Sequence, residues 1–279
     1  MAVDAAITVF RQEVVAQFEV SRSWLAGATT KESMMRGLSA VFLVSGSNVE
    51  TAVTRGVNGD IPYSGNQNTQ VTVTLKERHA AKSMSGFNIF ASQGNQTGQL
   101  KKGVVSIIAR DTDLTILAAL ANATQDFGTG TMDLTTILGA RAILGNNQVP
   151  TQEVDNMFGI ISPAAEAYML QIPEFTSADY VDIKPFAGAA TIQYRRWAGI
   201  NWIVSPLVTG VGTASELLYI WHRDALGYAI NVGEDSVYAG FNAEQGRNWA
   251  RAEVYHEAVV LQNSGIIKIT HDGSGFAAT

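Results

Sequence analysis

The chain has 279 residues, 46% of them hydrophobic and 16% charged, with 19 Lys and Arg against 25 Asp and Glu for a formal net charge of −6. A chain of this size and hydropathy folds around one large core or two modest ones and is not disordered. The absence of cysteine excludes disulfides, thiolate metal sites, iron–sulfur clusters and cysteine nucleophiles, and the negative charge excludes a protein whose main task is gripping nucleic-acid phosphates.

The low charged fraction, with abundant Gly, Asn, Gln, Ser and Thr, suits large interfaces between subunits, because charge is depleted in interface cores. No apolar run reaches the length of about 18 residues that a membrane span needs. The amino terminus carries Asp4, Arg11 and Glu13 where a secretory signal has its apolar core, so a protein made and kept in a cytoplasm is expected.

Residues 5–19 place Ile7, Phe10, Val14 and Phe18 at spacings of three and four, which predicts an amphipathic helix of about four turns. Its apolar side needs a partner, either its own domain or a neighbouring subunit. Residues 21–39 mix Gly27, Gly37 and small polar side chains without a period and read as a connecting arm. Next, Val71, Val73 and Leu75 alternate with Thr72, Thr74 and Lys76, and 41–57 is also rich in Val and Thr. The turn formers Asn58, Gly59, Pro62, Gly65 and Asn66 lie between them. This predicts a long antiparallel hairpin with few large apolar residues. An isolated ribbon of that kind is marginal at best, so it leans on another molecule or edges a larger sheet of its own domain.

Residues 95–124 set Leu100, Val104, Ile107, Leu114, Leu117 or Ala118, and Ala121 on a helical stripe interrupted by Asp111. One spine helix, roughly 40 Å long at ~1.5 Å per residue, is the economical reading. The competing parse is a strand over 104–109 and a separate helix capped by Asp111 or Thr112. Gly128 and Gly130 then break the chain, and a helix over 133–144 follows, with Thr131, Asp133 or Thr135 as its N-cap and Gly145-Asn146-Asn147 at its end. Buried strands are expected over 158–161, 200–204 and 217–221, the first two stopped by Ser162-Pro163 and Ser205-Pro206, with a short helix over 164–170. Together they make a compact α+β or α/β unit. An aromatic-rich segment from Val237 to Leu261 and a terminal strand over 266–270 complete the chain, without internal repeats.

The sequence carries few groups suited to catalysis or metal binding. None of His79, His222, His256 and His271 has metal-ligand spacing. His222-Arg223-Asp224 and Asp126-Phe127-Gly128 match two kinase tripeptides, but in the wrong order and without a Gly-rich loop, so chance explains them. Gly128 and Gly130 follow a helix and lack the third glycine of a dinucleotide loop. The acid pairs Asp111 with Asp113 and Glu234 with Asp235 read as capping or solvated groups. No catalytic residue, cofactor or metal is expected. Arg195-Arg196-Trp197 and Arg247, Trp249 and Arg251 mix basic and aromatic side chains, as nucleic-acid surfaces do; in an acidic chain they read better as subunit contacts.

The order of parts, an amphipathic arm, a long hairpin, a spine helix, a compact unit and returning strands, resembles the major capsid protein of tailed double-stranded DNA bacteriophages, with the Hong Kong 97-like fold. Leu117-Ala-Ala-Leu-Ala-Asn122-Ala-Thr, Leu138-Gly-Ala-Arg141-Ala-Ile-Leu144, Gly159-Ile-Ile-Ser162-Pro163, Phe175-Thr-Ser-Ala-Asp179-Tyr-Val, Gly199-Ile-Asn-Trp-Ile-Val-Ser205-Pro206, Trp221-His-Arg-Asp224-Ala-Leu-Gly-Tyr-Ala229 and Gly265-Ile-Ile-Lys-Ile269 are similar to coat proteins of that group. The resemblance covers about 40–270 and rests on the order of the motifs.

It implies an α+β fold with an N-terminal arm (1–40), an extended hairpin loop (41–85), a peripheral domain (86–132 and 233–279) and an axial domain (133–232). It also implies a virion protein, assembled in the bacterial host cytoplasm, that forms hexamers and pentamers of an icosahedral shell around double-stranded DNA. Portal, scaffolding or decoration proteins are the implied partners. Phe10 and Phe18 of the arm and Arg55, Asp60, Lys76 and Arg78 of the loop then join the two Arg–Trp clusters as expected subunit contacts. Lys76 and Lys82 match no complete crosslinking set, and no scaffolding segment is expected ahead of the arm. Contacts to DNA through Arg11 and Arg22 are expected to be weak. An encapsulin-like nanocompartment and a soluble α+β enzyme are the alternatives.

Overall fold

The structure, a computed structural model, describes residues 22–34, 36–46, 51–61, 63, 67–91, 96–173, 195–231 and 237–276. The expected arm helix with Phe10 and Phe18, the tip residues Pro62, Gly65 and Asn66, the 175–181 motif and the pair Glu234 and Asp235 lie outside the described residues.

In chain order the strands are β1 (Thr30–Met34), β2 (Ser39–Gly46), β3 (Gln67–Thr74), β4 (Lys76–Ser85), β5 (Asp126–Gly130), β6 (Met157–Ile161), β7 (Arg195–Trp197), β8 (Ile200–Val204), β9 (Glu216–His222), β10 (Leu226–Asn231), β11 (Val237–Asn242), β12 (Arg247–Val260) and β13 (Ile266–His271). The helices are α1 (Gly86–Ala91), α2 (Gln96–Leu120), α3 (Leu134–Asn146) and α4 (Pro163–Met169).

The spine is one helix: the 25 residues of α2 span about 37 Å at the α-helical rise, and the competing strand over 104–109 does not form. Its buried stripe differs from the expected one. Leu100, Val104 and Leu117 are buried, but Ile107, Leu114, Ala118 and Ala121 are exposed. The cause is a change of side part-way along the helix. In the first half Leu100 and Val104 pack on Ala80, Ala250 and Ala252, while Lys101, Lys102 and Val105 face outward. Towards the C-terminal end Ile116, Leu117, Ala119 and Leu120 enter the main core, while from the middle of the helix onward Ile107, Arg110, Leu114 and Ala118 face outward. At about 100° per residue the two outward sets lie on nearly opposite sides of the helix.

The first half rests on a five-stranded sheet built around β12. Strand β4 runs antiparallel along one edge of β12, from Arg247↔Ser85 to His256↔Lys76. On the other edge β11 pairs with residues 247–252 and β10 with 256–260, and β1 adds to β10 in parallel. The segment expected to be a connecting arm therefore supplies an edge strand. Thr30–Met34 has no buried position, so no alternation marks it. Just ahead of β1, a 3₁₀ turn over Ala26–Ala28 is fixed to the core where the Trp221 indole donates to the Ala28 carbonyl at 2.9 Å.

A six-stranded sheet, in the order β5-β13-β9-β6-β8-β7, carries the main core. Every residue of β6 is buried, which explains its continuous apolar run. Gly159 is required there, because a Cβ at that position would lie 2.6 Å from the Trp202 ring. Helix α3 begins at Asp133, whose carboxylate accepts from the Thr136 N–H at 2.7 Å, and buries Ile137, Ala140 and Leu144. Helix α4 starts from Ser162, which accepts from the Ala165 N–H, followed by Pro163 at a position where no donor is needed.

The hairpin forms as a separate two-stranded sheet, β2 with β3, from Ser39↔Thr74 to Gly46↔Gln67. It is shorter than expected, and residues 51–61 are exposed beyond it. Its base is supported within the subunit: Ala40, Phe42, Val73 and Leu75 pack on Ala229.

Candidate assembly surfaces

Inside the molecule the polar side chains act as ties. Among the described residues no group of three or more His, Asp and Glu is placed to hold a metal ion. Ser162 donates to the Glu216 carboxylate, which also accepts from the Gly212 N–H at 2.7 Å; Ser162 and Glu216 are fully buried, so the pair is a clip without access to a substrate. The kinase-like tripeptides are local structure too. His222 accepts from the Asp224 N–H at the end of β9, and Asp126 on β5 pairs with Lys268 on β13 at 3.0 Å.

Asp111 and Asp113, expected as capping or solvated acids of their own helix, are instead tertiary anchors. The buried Asp113 carboxylate accepts from the Ser23 hydroxyl at 2.6 Å, the Leu25 N–H at 3.1 Å and the Trp24 N–H at 3.2 Å, pinning the incoming chain to α2. Burial pushes its carboxyl above the ordinary carboxylate value, against the pull of those hydrogen bonds. Asp111 lies 3.1 Å from Nε2 of His256 on β12 and 3.6 Å from Nε of Arg78 on β4. The His256 ring is fully buried against Tyr228, and its Nδ1 has no hydrogen-bond partner among the described residues. Burial lowers its pKa, and the hydrogen bond to Asp111 opposes the shift.

The residues expected at subunit contacts separate into two groups. Lys76 pairs with Glu257 at 2.7 Å and Arg78 approaches Asp111, so both tie β4 into its own subunit. Trp197 is buried in the main core of its own subunit, and its carbonyl accepts from the Trp202 indole at 3.1 Å. Arg195 stands on β7 opposite Trp202, and Arg196 pairs with Asp155 and donates to Asn201.

The second group faces solvent. Arg55 and Asp60 are exposed beyond the hairpin, where the Gly56 N–H donates to the Asp60 carbonyl. Arg247, Trp249 and Arg251 alternate along β12 and so share one face. They line a groove of about 370 Å³ with Ala81, Ser83 and Asn242. Gly240 on β11 leaves the space that the Trp249 ring fills, since a Cβ there would lie 3.1 Å from the ring. Arg251 reaches Glu253 at 3.1 Å and lies 5.4 Å over the Tyr238 ring.

Sequence reasoning missed the large apolar side chains that face out. Among them are Leu38 just ahead of the hairpin, Val41 and Leu43 on it, Tyr238 and Phe241 on β11, and Ile107 and Leu114 on α2. Leu43 is 62% exposed while its strand neighbour Phe42 is buried, so β2 shows solvent a bare apolar side. The only signal available was the alternation of β2, which does not say what covers the outer face.

An enclosed reaction site is not what these features build; they build faces for association. The phage capsid protein family matches residues 2–273. No curated protein is similar to the chain in sequence. Among solved structures, the capsid of cyanophage P-SCSP1u superposes with a TM-score of 0.72 at 12% identity, covering 96% of this chain and 93% of that one. Mycobacterium phage Che8 gives 0.70 at 15% identity, with 96% and 98% covered. The capsid of a native GTA particle gives 0.69 at 13% identity, with 96% and 97% covered. The fold is accordingly Hong Kong 97-like, and neither the nanocompartment nor the enzyme reading is favoured. With the family matched over nearly its whole length, the chain belongs to the phage capsid proteins: it is a structural protein of the virion, the subunit of a capsid shell.

Proposed function

We propose that this subunit assembles through hexamers and pentamers into an icosahedral shell around phage double-stranded DNA, and that assembly takes place in the bacterial host cytoplasm with portal, scaffolding or decoration proteins. The observation that carries the reading is the hairpin: anchored at its base on Ala229, it holds Val41 and Leu43 bare to solvent. Apolar area of this kind is stabilising only when a neighbour covers it. Arg55, Asp60, Arg195, Arg196, Arg247, Trp249 and Arg251 are the proposed contact residues between copies, and Lys76 and Arg78 support them from within the subunit. For Phe10 and Phe18 the anchoring of residues 23–25 favours a surface on their own subunit.

The proposed arm, loop, peripheral and axial divisions (1–40, 41–85, 86–132 with 233–279, and 133–232) are kept as regions of the shell. Their sheets are shared: β1 and β10 complete the five-stranded sheet, and β5 and β13 the six-stranded one. With a net charge of −6, contacts to DNA are weak and weaken further with salt. The test is sedimentation and negative-stain imaging of the full chain, expressed alone and with its neighbouring gene products. Closed shells or capsomer rings are expected. A monomer under every condition overturns the reading.

A further inference from the structure

We propose that the amino-terminal segment, residues 1–21, docks on the outward strip of its own α2, formed by Ile107, Arg110, Leu114 and Ala118. The inference concerns the single subunit and does not depend on how the shell is built.

Three observations lead to it. The first is where the chain arrives. Ser23, Trp24 and Leu25 are held on α2 by Asp113, the residue next to Leu114 and one helical turn beyond Arg110. Residues 20–22 span at most about 10 Å when extended, which is enough for the arc of about 9 Å between the Asp113 and Leu114 sides of a helix of about 10 Å diameter. The described chain therefore begins within reach of the strip.

The second is the match of period. Ile7, Phe10, Val14 and Phe18 are spaced by three, four and four residues, and so are Ile107, Arg110, Leu114 and Ala118. The spacing predicts for the amino-terminal set a helical stripe about 17 Å long at the α-helical rise, the length of the stripe on α2, so the two can lie against each other over their full length. The receiving stripe is open: Ile107 is 40% and Leu114 is 42% exposed, and Ala118 at its end leaves room for a bulky ring.

The third is charge. Residues 1–21 carry Asp4, Glu13 and Glu19 against Arg11. Arg110 is exposed at the strip and has no ion pair among the described residues, and both acids of α2 are committed elsewhere, Asp111 to His256 and Asp113 to residues 23–25. An acidic amphipathic segment fits a strip that is apolar and cationic. The same strip on a second copy offers identical chemistry but lacks the tether, which raises the local concentration of the segment at its own helix.

The chain has no cysteine, so a double variant reports directly. Val14→Cys with Leu114→Cys joins the middles of the two stripes and is insensitive to whether they run parallel or antiparallel. Treated with a short bismaleimide, the full-length unassembled subunit is expected to give a faster-migrating species of monomer size, with one tryptic peptide joining the two positions. Neither single variant should give it. A ladder of dimers and higher species, placing the segment on another copy, overturns the proposal, as does a yield no greater than that of Val14→Cys with Leu43→Cys. As a second reading, Leu114→Asp changes only an exposed position. It is expected to speed tryptic cleavage after Arg11 roughly tenfold, since cleavage follows the undocked population. An unchanged rate also overturns the proposal.

Discussion

Asp113 shows how one side chain can hold a chain path. Its carboxylate serves three donors from residues 23–25, and Asp113→Ala leaves two backbone N–H groups and a hydroxyl without that acceptor. The expected loss is about 3 kcal/mol in a urea unfolding experiment, with Asp113→Asn, which keeps an acceptor oxygen, losing less. His256 gives a pH dependence with a definite sign. Asp111 from α2, Arg78 from β4, Glu257 beside it on β12 and the Tyr228 ring from β10 surround it. Burial holds its folded pKa below the ordinary 6.5, so the unfolded chain binds the proton more readily. The contribution of His256 is complete above that value and is lost as the pH falls from it toward the lower folded pKa. Stability measured across this interval should fall with acidification, and His256→Gln should flatten the slope. Asp113 acts with the opposite sign over an interval that begins at 3.8, because its pKa is raised from that value. Neither anchor was legible beforehand. The sequence displays Asp111 and Asp113 as polar interruptions of an apolar helix, and only the packed neighbours show what they grip.

At the scale of elements, legibility followed buried area. The spine, α3, α4, β6, β8, β9 and β13 bury continuous or periodic apolar runs, and each was expected close to where it forms. Among the elements that escaped are β1, β4, β5 and β10. Strand β1 is polar at a sheet edge, β5 is Asp-Phe-Gly-Thr-Gly with Gly128 at φ +103°, and β10 follows a 3₁₀ turn so closely that no break marks it. Strand β1 pairs with β10, β4 and β10 pair with β12, and β5 pairs with β13, none of them a neighbour in the chain. Two outcomes belong to this scale. Gly159→Ala drives a methyl group into the Trp202 ring and should cost about 2 kcal/mol in denaturant unfolding. Val41→Asp with Leu43→Asp alters only the outer face of β2, so the isolated subunit should unfold within about 0.5 kcal/mol of the parent, while the assembled fraction in sedimentation falls sharply. If the subunit itself were destabilised by that pair, the outer face would be serving its own fold.

At the scale of the whole molecule, covering these faces adds stability by mass action. The unfolding temperature of assembled material should therefore exceed that of the free subunit and rise with protein concentration, which differential scanning calorimetry reads directly. The family was legible from the order of elements, whereas that order does not say which side chains meet a neighbour. Trp197 carried the composition of an interface residue, yet it fills the core of its own subunit.

The change of side along α2 has a mechanical consequence. A rod gripped along one flank can roll in its bed, exchanging one row of contacts for the next. A rod gripped on opposite flanks at its two ends cannot, because any roll that loosens Leu100 and Val104 from the five-stranded sheet also drags Ile116 and Leu120 across the main core. Torque applied to one sheet is thus delivered to the other, and the subunit can follow the differing curvature of a closed surface by flexing this shaft near Ala109, where the grip changes hands, or by moving its exposed hairpin.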